Sequence, residues 1–311
     1  SAAQPGLPDL LLGNAYGGFN ADGSEYIIAG LVTHPTPAPW VNVLANAQLG
    51  TVVSEAGSAY TWAENAHEFR LTPWHNDPVT DRSGEALYLR DEETGHFWSA
   101  TPQPCPGSGP YRTRHGFGYS VFEHEEDGIY SELWVYVALD APIKFSRLVL
   151  TNRSGRARSL SVTGYAEWVL GDLRSKSAMH VVTQSDPVSG ALFARNAYSV
   201  EFSDRVAFFD TDTIDHGISG DRTEFLGRSG TLASPAAMRH AGLSGRVGGG
   251  LDPCAALQVQ VSMAEGQSKE VILRLGAETS TQAATQLVQR FRGSQAAATE
   301  LQKVREHWRS V

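Results

Sequence analysis

The chain has 311 residues, 41% hydrophobic and 19% charged, with 34 acidic against 25 basic side chains for a net charge of −9. A chain of this length can bury a large core in one or two domains, and 31 glycines with 15 prolines describe a folded, turn-rich protein, neither disordered nor fibrous. No basic stripe is present to neutralise phosphates, which excludes a nucleic-acid partner, and no stretch reaches the ~18 apolar residues of a membrane-spanning helix.

The opening SAAQPGLPDLLLGN lacks the basic start and long apolar core of a secretion signal, so a cytoplasmic location without membrane contact by this segment is expected. Cys105 and Cys254 lie far apart and form no metal-like spacing, and reduced thiols are expected in preference to a disulfide. Residues 13–30 read as glycine turns leading to a strand at Glu25–Ala29, with the adjacent glycines before Phe19 allowing positive φ or close backbone approach. The PTPAPW run at 35–40 can be neither helix nor central strand and reads as an extended crossing. Strand patterns begin at residue 50: GTVVSE, a turn at Ala56-Gly57, then SAYTW. EALYLRDEETGHFWSA gives strand, turn at Gly95 and strand, before the proline-glycine connection 101–110.

The clearest sheet signal spans 116–152, where two β-rich runs meet at Asp127-Gly128, a strong hairpin cue. In the second run Ile129, Leu133, Val135 and Val137 alternate with Tyr130, Glu132, Trp134 and Tyr136, so both faces of that strand are expected to be covered. Further strands follow through SLSVTGYAEWVL, ALFARN, RVAFFD and the pair around Glu265-Gly266. Residues 171–183 interrupt the series as an irregular polar segment, and 217–250 are glycine-rich. Strand–turn–strand units without intervening helices predict an all-β fold of antiparallel sheets packed face to face. From about residue 281 the period changes: Ala284, Leu287, Val288 and Phe291, then, past a break at Gly293-Ser294, Ala297, Leu301, Val304 and Trp308 fall at helical spacing. The expected division is a sandwich over 1–278 and a helical segment over 279–311.

The stretch AYTWAENAHEFRLTPWHNDPVTD, 59–81, is the richest in candidate chemistry. Aromatic faces beside forked hydrogen-bonding side chains suit a sugar, with C–H faces and many hydroxyls, although core tryptophans in a solvated loop are the commoner explanation of such a composition. DTD at 210–212 matches a short metal-holding motif, but no nucleotide-binding α/β pattern surrounds it. The ten histidines form no HxH or HExxH, no GxSxG occurs, and no metal or cofactor is expected. DRTEFLGR at 221–228 mixes acid and base as surface ion pairs do.

AYGGFNADGSEYII, PAPWVNVLAN, the long run from Gly57 to Trp98, RHGFGYSVFEH and GYAEWVLGDLRSKSAMHVVT together resemble one family. It is the glycoside-phosphorylase family that includes cellobiose phosphorylase and cyclic β-1,2-glucan synthase, and the phrasing is nearest the glucan synthase branch. The resemblance runs from about Leu12 to the end. It implies a large, galactose-mutarotase-like super-sandwich, followed by a helical linker and an (α/α) six-hairpin barrel outside this chain. That barrel would carry the catalytic aspartate of an inverting phosphorolysis and hold inorganic phosphate, the co-substrate of the whole enzyme. No catalytic residue transfers to this chain, which is expected to be inactive alone. The expected partners are a β-glucan oligosaccharide, the helical barrel and a second copy in a homodimer. By the same resemblance Arg174, Lys176 and His180 are candidates for sugar contact, and Trp62, Glu64, Asn65, Arg70, Trp74 and Asn76 for a face turned to the cleft or the barrel. A free-standing sugar-binding module and a mutarotase-like epimerase remain as alternatives.

Overall fold

The computed structural model describes residues 10–30, 32 and 35–311. Among these residues eighteen strands follow in chain order. The first seven are β1 (Gly17–Phe19), β2 (Glu25–Ala29), β3 (Val41–Ala45), β4 (Leu49–Ser54), β5 (Ala59–Ala63), β6 (Glu85–Asp91) and β7 (Phe97–Ser99). The middle of the chain adds β8 (Tyr111–Gly116), β9 (Tyr119–Glu126), β10 (Ile129–Val137), β11 (Ile143–Asn152) and β12 (Arg158–Glu167). After the short helix α1 (Arg174–Ser177) come β13 (Val181–Ser185), β14 (Leu192–Asn196), β15 (Val206–Thr211) and β16 (Gly217–Asp221). Helix α2 (Arg222–Leu226), β17 (Pro253–Met263), β18 (Ser268–Glu278), α3 (Thr281–Arg290) and α4 (Ser294–Ser310) complete the chain.

All sheet pairings are antiparallel. A ten-stranded sheet runs β1-β2-β8-β9-β10-β11-β18-β15-β14-β13. Facing it are a five-stranded sheet, β16-β17-β12-β6-β7, and a three-stranded sheet, β3-β4-β5. The all-β sandwich expected from strand spacing is therefore the fold. Its main core lies between these layers, where Leu133, Val135, Leu148 and Leu273 of the large sheet meet Leu89, Leu160 and Leu257 of the five-stranded sheet and Val53 of the small one.

Strand alternation sends the opposite residues outward, and they too are covered. Tyr136, Phe145, Phe208 and Ile272 on the outer face of the large sheet pack under Ala284, Leu287, Val288, Phe291, Ala297, Leu301 and Val304 of the helical tail. This bears out the two-sided burial read from β10, and the cover is the chain's own C-terminal helix pair. Trp308, the last residue of the stripe, stays 40% exposed. The outer face of the five-stranded sheet carries a third cluster in which Tyr88, Tyr165 and Cys254 meet Phe225, Leu226 and Met238. Both cysteines are free.

Local predictions map closely. The β9–β10 hairpin turns at Asp127 (φ 50°) and Gly128 (φ 75°), the left-handed pair that matches strand twist. The adjacent glycines near the start serve close approach: a Cβ on Gly17 would lie 1.9 Å from the Ile27 carbonyl oxygen, because β1 pairs there with β2. One expectation needs revision. The segment after β12 is not irregular throughout, since it folds into α1, a 3-10 turn at Ala178–His180 and then β13 at the sheet edge.

Candidate functional site

Strand β5 ends at Ala63, and Glu64 (φ 59°) turns the chain out of the sheet. Asn65 closes the turn by accepting hydrogen bonds from the backbone N–H groups of His67 and Glu68, both at 2.9 Å. Phe69, stacked on Phe202 at 4.7 Å, pins the returning strand to the core. The return then runs beside β5, with Ala63 N–H donating to Phe69 O at 3.1 Å and Leu71 N–H to Thr61 O at 2.8 Å. Along β5 the odd–even alternation puts Tyr60 and Trp62 on one face. Trp62 stands opposite Gly50 of β4 and fills the space that glycine leaves, for a Cβ there would meet the indole at 2.2 Å.

Tyr60 is the platform of the site. Its ring stacks on Trp62 at 5.1 Å and meets Trp74 at 5.2 Å, and the Arg70 guanidinium lies 5.9 Å from its centroid. Its hydroxyl donates to the Ala66 carbonyl at 2.5 Å, and burial pushes its pKa up. Trp74 remains 43% exposed and, with Tyr60, lines one side of a cleft of about 280 Å³. Pro39, Val41 and Val52 form its apolar wall, and His75, Asn76, Asp77, Asp81 and Arg82 give it a polar rim. The rim loop is held from within: Asp77 accepts from Val79 N–H at 3.0 Å, and Ser54 Oγ donates to Asp81 at 2.5 Å. A second cleft of similar volume adjoins the first and shares Ala38, Pro39, Pro78 and Asp81 with it. Glu55 lines that second cleft, accepting from the Thr36 hydroxyl and from Trp40 N–H at 2.7 Å. Burial raises the pKa of both Glu55 and Asp81, against the hydrogen bonds that favour their charged forms. An aromatic wall opposite amide, imidazole and carboxyl groups can hold a polyhydroxylated ring by its C–H face and its hydroxyls.

The second candidate patch touches the first through Arg70. Arg70 N–H donates to Gly171 O at 3.1 Å, and its guanidinium donates to Asp172 O at 3.0 Å. Upstream, Glu167 N–H donates to Gly84 O and Val169 N–H to Leu71 O, so the end of β12 runs beside the segment that carries Trp74. The nine sequence candidates thus fall into connected but different settings. Trp62, Arg70, Trp74 and Asn76 (φ 47°) converge on the Tyr60 platform and its cleft. Asn65 shapes the turn, and Glu64 pairs with Arg205, its second carboxylate oxygen at 3.1 Å.

Arg174 is held in a ring of alternating charge. It pairs with Glu167 at 3.0 Å and with Asp252, while Arg222 pairs with the same two carboxylates at 2.7 and 3.2 Å. Burial raises the Asp252 pKa, but hydrogen bonds and charge from Arg174, then from Arg222, outweigh it and hold the carboxyl below its usual range. Lys176 is exposed and pairs with Asp172 at 2.5 Å, and His180 stacks on exposed Tyr198 at 4.1 Å. The acidic DTD motif is also internal: Asp210 takes Arg274 at 2.6 Å and Arg292 at 2.9 Å, and Asp212 takes Arg274 at 2.6 Å while accepting from Gly293 N–H. These are ion pairs that dock the helix junction. Glu167 and Asp252 carry no local sequence signal, because Arg222 and, for Asp252, Arg174 come from helices distant in the chain.

The space between the main sheets holds a small cavity of about 50 Å³ whose lining includes Lys144 and Glu85, paired at 2.7 Å, and no histidine.

Residues 24–294 match the glycosyl hydrolase 94 supersandwich domain. The chain is 40% identical over 272 residues to the cyclic beta-(1,2)-glucan synthase NdvB of Rhizobium meliloti, covering 86% of this chain and 10% of that protein. It is 29% identical over 273 residues to the N,N'-diacetylchitobiose phosphorylase of Vibrio furnissii, covering 84% of this chain and 33% of that one. Among solved structures, a putative aldose 1-epimerase from Escherichia coli aligns over 78% of the chain and 99% of its own, with a TM-score of 0.47 and 9% identity. The chain thus spans a tenth to a third of the length of these two curated relatives. No helix among the described residues is long and apolar enough to cross a membrane. With the family match covering most of its length, the chain belongs to the glycosyl hydrolase 94 family as a supersandwich domain.

Proposed function

We propose that this domain is the non-catalytic, sugar-facing wall of a β-glucan-processing phosphorylase or glucan synthase, with the Tyr60–Trp74 cleft turned toward the acceptor end of the glucan. The observation that carries it is a partly exposed tryptophan, backed by a buried tyrosine, over a cleft of about 280 Å³ rimmed by Asn76, His75 and Asp77. Similarity to glucan- and chitobiose-processing enzymes supports a β-linked oligosaccharide as ligand. The catalytic aspartate and the phosphate site would come from a helical barrel that docks beside this face. The exposed Leu173, Met179 and Lys176 around α1 offer the docking rim, and a second copy of the domain is a further partner. Two unpaired cysteines accord with a reducing, cytoplasmic compartment.

The test is calorimetric titration of this chain with β-1,2-linked glucooligosaccharides, paired with the KM of a parent enzyme that carries the domain. Millimolar binding that Trp74→Ala abolishes, with a raised oligosaccharide KM in the parent, is the expected result. Micromolar binding by the isolated chain would make it a free-standing module instead. Unchanged KM in the Trp74→Ala parent would overturn the assignment of the cleft.

A further inference from the structure

Away from that cleft, three potential metal ligands gather where the two main sheets meet, with a buried histidine behind them. His96 precedes β7 in the five-stranded sheet, Glu126 ends β9 in the ten-stranded sheet, and Asp127 begins the β9–β10 turn. His96 Nε2 lies 3.1 Å from Glu126 Oε1 and 4.0 Å from Asp127 Oδ2, and one donor atom from each of the three residues falls within 4.8 Å of the others. Ligand bonds of about 2.0–2.2 Å in a tetrahedral zinc site put donor atoms roughly 3.3–3.5 Å apart, a spacing that falls between the two His96 separations.

A buried nitrogen backs the cluster. His124 shares the strand face of Glu126 by β alternation, and its side chain has no solvent exposure. Its Nδ1 lies 3.1 Å from the Pro110 carbonyl, which can only accept, so Nδ1 carries the proton and Nε2 keeps its lone pair. That Nε2 has no hydrogen-bond partner and faces Glu126 Oε2 at 3.3 Å. A lone pair against a carboxylate is repulsive unless a proton or a cation relieves it. The arrangement is supported from outside as a metal site's ligands usually are. Glu126 accepts from Ser108 N–H, Gly109 N–H and Ser108 Oγ at 2.7, 3.0 and 2.9 Å, and the His124 ring stacks on Tyr111 at 3.8 Å. Only glycine fits at position 107, since a Cβ there would lie 2.5 Å from Glu126 Oε2 and 2.6 Å from His124 Nε2.

We propose that His96, Glu126 and Asp127, backed by the unpaired Nε2 of His124 behind Glu126, form a binding site for a borderline divalent transition metal of the zinc class. An imidazole with two carboxylates favours zinc or cobalt over magnesium or calcium, which take oxygen ligands alone. With His96 beside one sheet and the carboxylates on the other, the ion acts as a clip between the two sheets.

The test uses the 311-residue chain, stripped with a chelator and titrated with zinc chloride by calorimetry, and with cobalt chloride as an absorbing probe. One saturable site per chain is expected, with tetrahedral d–d bands from cobalt and a melting temperature that rises with zinc. The double variant His96→Gln, Asp127→Asn alters two side chains that are about half exposed, so its metal-free melting should stay unchanged. Its zinc affinity should fall at least about tenfold, with the zinc-dependent melting shift lost. His124→Gln, which takes the lone pair from behind Glu126, should weaken cobalt binding. Equal zinc affinity in wild type and the double variant, or no saturable binding in wild type, would overturn the site. So would displacement of cobalt by millimolar magnesium.

Discussion

Replacing Asp210 by asparagine separates the two meanings of the DTD motif, metal ligand and internal ion pair. Asp210 and Arg274 are both without solvent exposure, and the carboxylate accepts from Arg274 at 2.6 and 3.0 Å and from Arg292 at 2.9 Å. Removing one partner of a buried pair costs about 3–5 kcal/mol, because the other charge is left uncompensated. Asp212 keeps a carboxylate oxygen 2.6 Å from Arg274, so the lower end, about 3 kcal/mol, is expected. At about 2.1 cal/mol/K of unfolding entropy per residue, 311 residues give roughly 0.65 kcal/mol/K, and the melting temperature should fall by about 5 °C. The loss should be localised. Arg274 also donates to the Phe291 carbonyl, and Asp212 accepts from Gly293 N–H, so the junction of α3 and α4 should lose hydrogen-exchange protection before β10 does. A melting temperature within about 1 °C of wild type, or unaltered protection at 291–297, would refute the reasoning, which asks for several degrees.

Other substitutions probe the site. Trp74→Ala removes a side chain already 43% exposed, so stability should change by less than about 1 kcal/mol while saccharide binding is lost; a large fall in melting temperature would show Trp74 to be core. Gly50→Ala should push the Trp62 indole off Tyr60, read as altered tryptophan fluorescence and a cost of about 1–3 kcal/mol; an unchanged spectrum would contradict the packing. Arg174→Ala opens the charge ring at a partly exposed position and should cost about 1 kcal/mol at neutral pH. Asp252 has its pKa depressed by that ring, so its contribution is present above the unfolded carboxylate value and disappears as pH falls through the folded one. The gap in stability between wild type and Arg174→Ala should therefore shrink toward low pH, and a gap that widens on acidification would be inconsistent with the ring.

Hairpins and covered faces were legible because they are local. Asp127-Gly128 announces its turn, and the double apolar alternation of β10 announces two cores, one of which the helical stripe from Ala284 to Val304 proves to fill. Ion pairs are not local. The pairing of Arg174 with Asp252, 78 residues on, and of the DTD aspartates with Arg274 of β18 has no trace in the local sequence. Trp62 and Trp74 are adjacent in the same stretch, yet only the pairing of β4 with β5 shows that one fills the gap above Gly50 while the other borders a cleft. The converse holds for EHEED at 123–127: alternation alone puts His124 and Glu126 together, but His96 comes from the opposite layer.

The helix pair over the ten-stranded sheet sets where this polypeptide can be cut. A boundary drawn after Glu278, at the last strand, would strip α3 and α4 from Tyr136, Phe145, Phe208 and Ile272 and bare a continuous aromatic surface. Such a surface drives self-association, so the shortened piece should precipitate or demand detergent. A truncation beyond Val304 keeps that surface sealed, which makes the helices part of the smallest stable unit, whatever follows them in a longer protein.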